Sequence, residues 1–245
     1  STDHGVTWNL LTNTTGFYNV SKVACDAAGN LYVGTVGSGA GLQRSKDGGT
    51  SWIEITPSTP ARGSRITDIK FSNTGRMHVT KGFDSAPEGS GYFYTDNAAN
   101  VDSLTWTKPI VPFFTQFNCE MAVAGNTLYI LPSDDNDLTP QIYKSIDGGA
   151  TWLPTVTSPP GGTTEPTINA GQGWYDLAIG VDPNDPNIVI AGGLNFYRST
   201  NGGINWLNLS SGLPTLPVLQ ITATDQNRCW LNLGTKVFAT INGGI

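Results

Sequence analysis

Asp176 and Glu120 are the carboxylates that the sequence best offers as a pair. Each stands near the start of an apolar, strand-like run, Tyr175 to Val181 and Cys119 to Val123. Cleavage of a glycosidic bond takes two such groups roughly 5–10 Å apart. The alternation that suggests the pair also makes Glu120, next to Cys119, equally suited to a structural place in its strand. Trp174 and Tyr175 precede Asp176, and aromatic faces beside a carboxylate suit a sugar, whose ring stacks and whose hydroxyls hydrogen-bond. The plain structural reading of the two rings is as plugs over the strand ends. Asp134, Asp135 and Asp137 offer oxygen ligands for calcium. They lack the Asp-x-Asp-x-Asp-Gly…Glu spacing of a defined calcium loop, so a solvated acidic turn is the simpler reading and no cofactor is expected. The two histidines, His4 and His78, make no metal set, and neither a nucleophile elbow nor a phosphate loop is present.

The elements that hold these residues are set out by an internal repeat. Ser45-Lys46-Asp47-Gly48-Gly49-Thr50-Ser51-Trp52 recurs at 145–152, at 199–206 with Asn201 in place of Asp, and at 1–8. Degenerate copies occupy 94–106 and 240–245. The Asp or Asn positions, 3, 47, 96, 147, 201 and 242, are 44, 49, 51, 54 and 41 residues apart, a length that suits one four-stranded blade each. An Asp or Asn side chain accepts bonds from nearby backbone N–H groups, glycines supply positive φ, and the Trp caps the turn. The repeated carboxylates are therefore expected to serve the fold. Between copies come short runs rich in β-branched and aromatic residues, bounded by Gly, Pro, Asn or Asp, with no helical periodicity. The expected fold is all-β: a single propeller domain over 1–245, built of four-stranded antiparallel blades. Five repeats leave two arrangements open. Five blades close on themselves, with Trp8 to Leu11 completing the last sheet, or the five belong to a ring of six to eight.

Composition excludes several classes. The chain has 245 residues, 30 of them Gly and 15 Pro, with 13 Lys and Arg against 19 Asp and Glu. A net charge of −6 without a basic cluster argues against nucleic acid. No apolar run approaches the roughly 18–20 residues of a membrane helix, so no membrane insertion is expected. Cys25, Cys119 and Cys229 are too few and too scattered for a disulfide framework, and read as buried thiols. The opening Ser1-Thr2-Asp3 carries neither an initiator Met nor a signal peptide, as expected of a piece of a longer polypeptide.

Ser-x-Asp-x-Gly-x-x-Trp resembles the Asp-box (BNR) repeat of sialidases, sortilin-type receptors, xyloglucanases and photosystem assembly factors. The stretch Gln172-Gly173-Trp174-Tyr175-Asp176-Leu177, with Ser211-Gly212-Leu213-Pro214, resembles propellers that Bacteroidota export by the type IX system. Asp84-Ser85-Ala86 and Asp102-Ser103-Leu104 look like O-glycosylation sites of the same group. The resemblance implies an extracellular or cell-surface protein, one part of a longer polypeptide or a surface complex. It also implies that the Asp-box turns lie on one face and ligands on the other. On the ligand face the repeat places Phe17, Tyr18, Arg62, Arg65, Phe83, Asp84, Glu88, Phe113, Phe114, Phe117, Glu165, Trp174 and Tyr175. Tyr18, Arg65, Phe83, Asp84, Trp174 and Tyr175 are the expected contacts for a glycan or a surface protein. The three-arginine clamp of sialidases cannot be assembled, because Arg44 and Arg198 fall in strands and Arg76 and Arg228 at turns of the far face. These residues favour a binding or scaffolding module. A sialidase- or xyloglucanase-like hydrolase and a peptide-gripping assembly factor or receptor are the alternatives.

Overall fold

The computed structural model describes residues 1, 3–17, 19–36, 41–57, 65–83, 89–101, 105–113, 117–133, 141–159, 168, 172–211, 213–214, 218–225, 227–233 and 236–241. It is a five-bladed β-propeller of small antiparallel sheets, each running in chain order from its innermost strand outward. The first blade holds β1 (Asn19–Cys25), β2 (Leu31–Val36), β3 (Leu42–Ser45) and β4 (Ile53–Glu54). The second holds β5 (Arg65–Phe71), β6 (Met77–Gly82) and β7 (Gly91–Thr95). Where the degenerate turn was expected to lead into a fourth strand, only a bridge between Tyr94 and Thr107 forms. The third blade is β8 (Cys119–Ala124), β9 (Thr127–Pro132), β10 (Tyr143–Ser145) and β11 (Leu153–Pro154); the fourth is β12 (Ala178–Val181), β13 (Val189–Gly192), β14 (Phe196–Ser199) and β15 (Leu207–Asn208). The fifth has β16 (Val218–Asp225), β17 (Arg228–Leu233) and β18 (Lys236–Thr240).

Successive blades bury aliphatic and aromatic side chains against each other. Tyr32 and Leu42 of the first meet Ile66 and Ile69 of the second. Tyr92 of the second meets Met121 of the third. Tyr129 and Ile142 of the third meet Ile179 of the fourth, and Ile190 and Phe196 of the fourth meet Ile221 of the fifth. The register aligns Val23 with Ile69, Met121, Ile179 and Ile221. The last four are at most 9% exposed and Val23 is 73% exposed. The first and fifth blades thus do not cover one another as neighbours in the chain do. Residues 8–11 form no strand, and Trp8 is exposed. Cys25, expected to be buried, is exposed on this uncovered blade; Cys119 and Cys229 are buried.

The recurring turn joins the third and fourth strands by a fixed set of bonds. In the copy at 145–152, Ser145 Oγ donates to Asp147 Oδ1 at 2.8 Å and accepts from Gly149 N at 2.8 Å. Asp147 Oδ1 also accepts from Thr151 N at 2.9 Å. The copies at 1–8 and 45–52 repeat this, and at 199–206 the amide oxygen of Asn201 does the same work. The Trp indole N–H then donates to the carbonyl of the second-glycine position, as in Trp152 to Gly149 at 3.0 Å. Trp8 and Trp52 do likewise, whereas Trp206 reaches back to Thr157 of the preceding blade connection.

Two glycines of one turn set a test. Gly48 and Gly149 both have positive φ, +69° and +91° or below, but only Gly149 is crowded: a Cβ there would lie 1.8 Å from the Tyr92 hydroxyl. Gly48→Ala is expected to cost about 1 kcal/mol, from backbone strain alone, and Gly149→Ala about 3 kcal/mol or more, measured by urea unfolding.

Acid unfolding sets a second. Hydrogen bonds from the Thr7 and Ser51 positions hold Asp3 and Asp47 down to about 2, and Asp147 is held there too, its slight burial outweighed by the bonds from Thr151 and Ser145. Carboxylates lowered from 3.8 stabilise the fold above that pH and lose the contribution as pH falls toward 2. Burial lowers His78 to about 3, so its contribution is complete above about pH 6.5 and fades from there down. Replacing all three aspartates with Asn, which keeps the turn acceptor as Asn201 does, should flatten the stability profile between pH 4 and 2. The loss between pH 6.5 and 4 should remain.

Candidate functional site

The turns occupy one face of the ring, so the starts of the innermost strands and the ends of the second strands open on the other. Two features stand there: an aromatic rim, and a charged channel beneath it.

The rim begins at Trp174 and Tyr175. The sequence places them at the start of an innermost strand, but β12 starts only at Ala178. The carbonyl of Gln172 accepts from Tyr175 N at 3.1 Å and Asp176 N at 3.3 Å, which curls the chain into a turn. The Tyr175 hydroxyl also donates to the Gln172 side-chain oxygen. Held this way, the two rings lie edge to face with centroids 4.2 Å apart. Trp174 is 55% and Tyr175 38% exposed. Asn118 Nδ2, just before β8, reaches the Gly173 carbonyl at 3.5 Å and ties this turn to the third blade. Its neighbour Phe117 packs edge-on against Phe83, and Arg65 lies 5.3 Å over the Phe83 ring. Parts of three blades therefore meet in one rim. Phe113 is not part of it: it is buried against Trp152 and Tyr143 in the core. Phe17 packs on Trp52. Tyr18, Arg62, Asp84, Glu88, Phe114, Glu165, Asp134, Asp135 and Asp137 lie outside the described residues.

Below the rim the innermost strands of all five blades line a cavity of about 330 Å³. Its walls include Lys22, Asp68, Lys70, Glu120 and Gln220. Register shifts between Val20 and Lys22, Ile66 and Asp68, and Val218 and Gln220 mark extra residues in β1, β5 and β16. Such bulges re-aim the side chain that follows. Lys22 donates to both Glu120 oxygens at 2.6 and 2.8 Å and lies 3.9 Å from Asp68. Asp68, almost fully buried, accepts from Lys70 Nζ at 2.9 Å and from Met121 N at 2.8 Å. Burial works to lower the Lys22 pKa, but the Glu120 and Asp68 carboxylates outweigh it and hold the ammonium above its ordinary value. Burial and the charge of Asp68 push the Glu120 carboxyl up, against the pull of Lys22.

Two carboxylates on separate blades with one raised pKa have the form of an acid–nucleophile pair. Their surroundings give them another role. Lys22 stands between them, and the Asp68 side chain is 1% exposed, so a polymer outside the ring does not reach both. The cluster instead ties the first, second and third blades together. Asp176 is fully buried and does not line this cavity. Among the described residues no group of three His, Cys, Asp or Glu is placed to hold a metal. Sequence reasoning missed Lys22, Asp68 and Lys70. The available signal was the three-residue step between apolar positions, Val20 to Val23, Ile66 to Ile69 and Val218 to Ile221, where an unbroken strand steps by two.

Removing one partner of a largely buried ion pair leaves the other charge uncompensated. Lys22→Met is therefore expected to cost about 2–4 kcal/mol, and Lys22→Met with Glu120→Gln to recover at least half of it, read from denaturant unfolding. Additive losses in the double variant would show that the two side chains do not act as a pair.

No protein-family model matches the chain. It is 24% identical over 301 aligned residues to a xyloglucanase of Acetivibrio thermocellus, covering 96% of this chain and 31% of that protein. It is 28% identical over 223 residues to a xyloglucanase of Paenibacillus sp, covering 86% of this chain and 17% of that protein. Among solved structures it is similar to a mutant Trypanosoma rangeli sialidase displaying trans-sialidase activity, with a TM-score of 0.61 and 13% identity, over 100% of this chain and 49% of that one. The GH74 xyloglucanase of Xanthomonas campestris matches with a TM-score of 0.52 and 15% identity, over 97% and 54%. The chain spans less than a third of these sequence relatives and about half of these solved chains. The structural likenesses establish the β-propeller fold, shared with sialidase and xyloglucanase propellers.

Proposed function

We propose that this chain is the substrate-gripping part of a glycoside hydrolase of the propeller type, and that it holds a xyloglucan-like polysaccharide along the rim of Trp174 and Tyr175. The observation that carries the reading is the exposed, edge-to-face ring pair on the face opposite the turns. It is held open by backbone bonds to Gln172 and supported from the next blade by Asn118. A large apolar ring exposed to water gains by stacking against the apolar face of a sugar. Similarity to xyloglucanases along most of the chain supports the choice of polymer. The described carboxylates of the channel are ion-paired and Asp176 is buried, so the role assigned to the described residues is binding. Hydrolysis is assigned to the whole protein. In the same reading the recurring turn is an Asp box, and the protein is secreted, by the type IX route that the Gln172–Leu177 resemblance implies, to meet a polymer outside the cell.

Calorimetric titration with xyloglucan oligosaccharides, paired with a reducing-end assay, tests this. Wild type is expected to bind xyloglucan, and Trp174→Ala to lose at least tenfold in affinity, equivalent to about 1.4 kcal/mol, with little change in Tm. Affinity unchanged by that substitution would remove the rim as the binding surface. Binding to no neutral polysaccharide would remove the reading itself.

A further inference from the structure

Arg65 is the one channel-mouth charge that neither the ion-pair cluster nor the Trp174 rim employs. It opens β5 opposite Gly82, with Phe83 just beyond the end of β6. Lys22 and Lys70 each have a carboxylate, Glu120 and Asp68. Arg65 has no ion-pair partner among the described residues. Its Nε is buried and makes no hydrogen bond. Its charge acts on the nearby Lys22, so the mouth carries three cations to two anions in a chain whose net charge is −6. A local excess of the opposite sign to the whole molecule is a property of this place and not of the general field.

Phe83 adds an independent sign. Its φ is +54°, a left-handed conformation that a bulky aromatic residue adopts at a cost of about 1–3 kcal/mol and that clusters at functional sites. Phe117 packs against its ring, and the Arg65 guanidinium lies over that ring at 5.3 Å. A guanidinium laid on an aromatic face and left without a carboxylate keeps its donors for an outside acceptor.

We propose that Arg65, seated on Phe83 and backed by Lys22, binds a small organic carboxylate at the channel mouth, such as that of an acidic sugar. A guanidinium matches a carboxylate with two parallel hydrogen bonds, which an ammonium cannot. The inference rests on the polysaccharide reading only in the choice of a sugar acid as probe.

The test is calorimetric titration of the whole chain with D-glucuronate, D-glucose and inorganic sulfate. Glucuronate is expected to bind at least tenfold more tightly than either of the others. Arg65→Met, which keeps the contact with Phe83 and loses the charge, should abolish that preference while leaving xyloglucan binding in place. Arg65→Lys, which keeps the charge and loses the planar fork, should lose most of it as well. Equal binding of glucuronate and glucose, sulfate binding as tightly as glucuronate, or full affinity in Arg65→Met would each overturn the assignment. Failure of xyloglucan to bind while glucuronate still binds would remove the polymer reading and leave this one standing.

Discussion

Each recurring turn hangs on one serine hydroxyl and one carboxylate or amide oxygen. Ser145 and Asp147 between them satisfy the N–H groups of Gly149 and Thr151, which no sheet partner serves. Buried or half-buried backbone donors must be met somewhere, and here the same two side chains meet them in every regular copy. The consequence reaches across the ring. With the turns chemically fixed on one face, the connections on the other are free to differ. The exposed rings of Trp174 and Tyr175 and the positive-φ Phe83 both appear on that second face.

The channel imposes a second constraint. Innermost strands crowd around a shared cavity, and charges placed there must be neutralised locally. The bulges in β1 and β5 turn Lys22 and Asp68 toward that cavity, where Glu120 and Lys70 complete the set. This arrangement explains why Glu120, a credible catalytic carboxylate by position, acts as a tie between blades. It also throws Arg65 into relief, since its neighbours are paired and it is not.

Much of this was legible in the sequence. The repeat spacing and the alternation of short apolar runs define the blades, and the Ser, Asp and Gly positions define the turns, because both are local properties. What was not legible depends on contacts between distant segments. Trp174 to Asp176 read as the opening of a strand because their side-chain pattern suits one. The Gln172 carbonyl captures two of the N–H groups and makes a turn instead. Cys25 read as buried because its strand is apolar, but burial of β1 requires a neighbour on the side where Val23 is exposed. The Lys22–Glu120 pair joins residues 98 positions apart, and only the broken alternation at the bulges hinted that these strands point charges inward.

The central claim, that ligands meet the face opposite the turns, is tested most directly by the tryptophan indole N–H resonances of the protein titrated with a xyloglucan oligosaccharide. The indoles of Trp52 and Trp152 donate to the Gly49 and Gly149 carbonyls on the turn face, and their signals are expected to stay in place. The signal of the exposed Trp174 is expected to shift progressively with ligand. Shifts confined to the turn-face indoles, with Trp174 unmoved, would contradict the account.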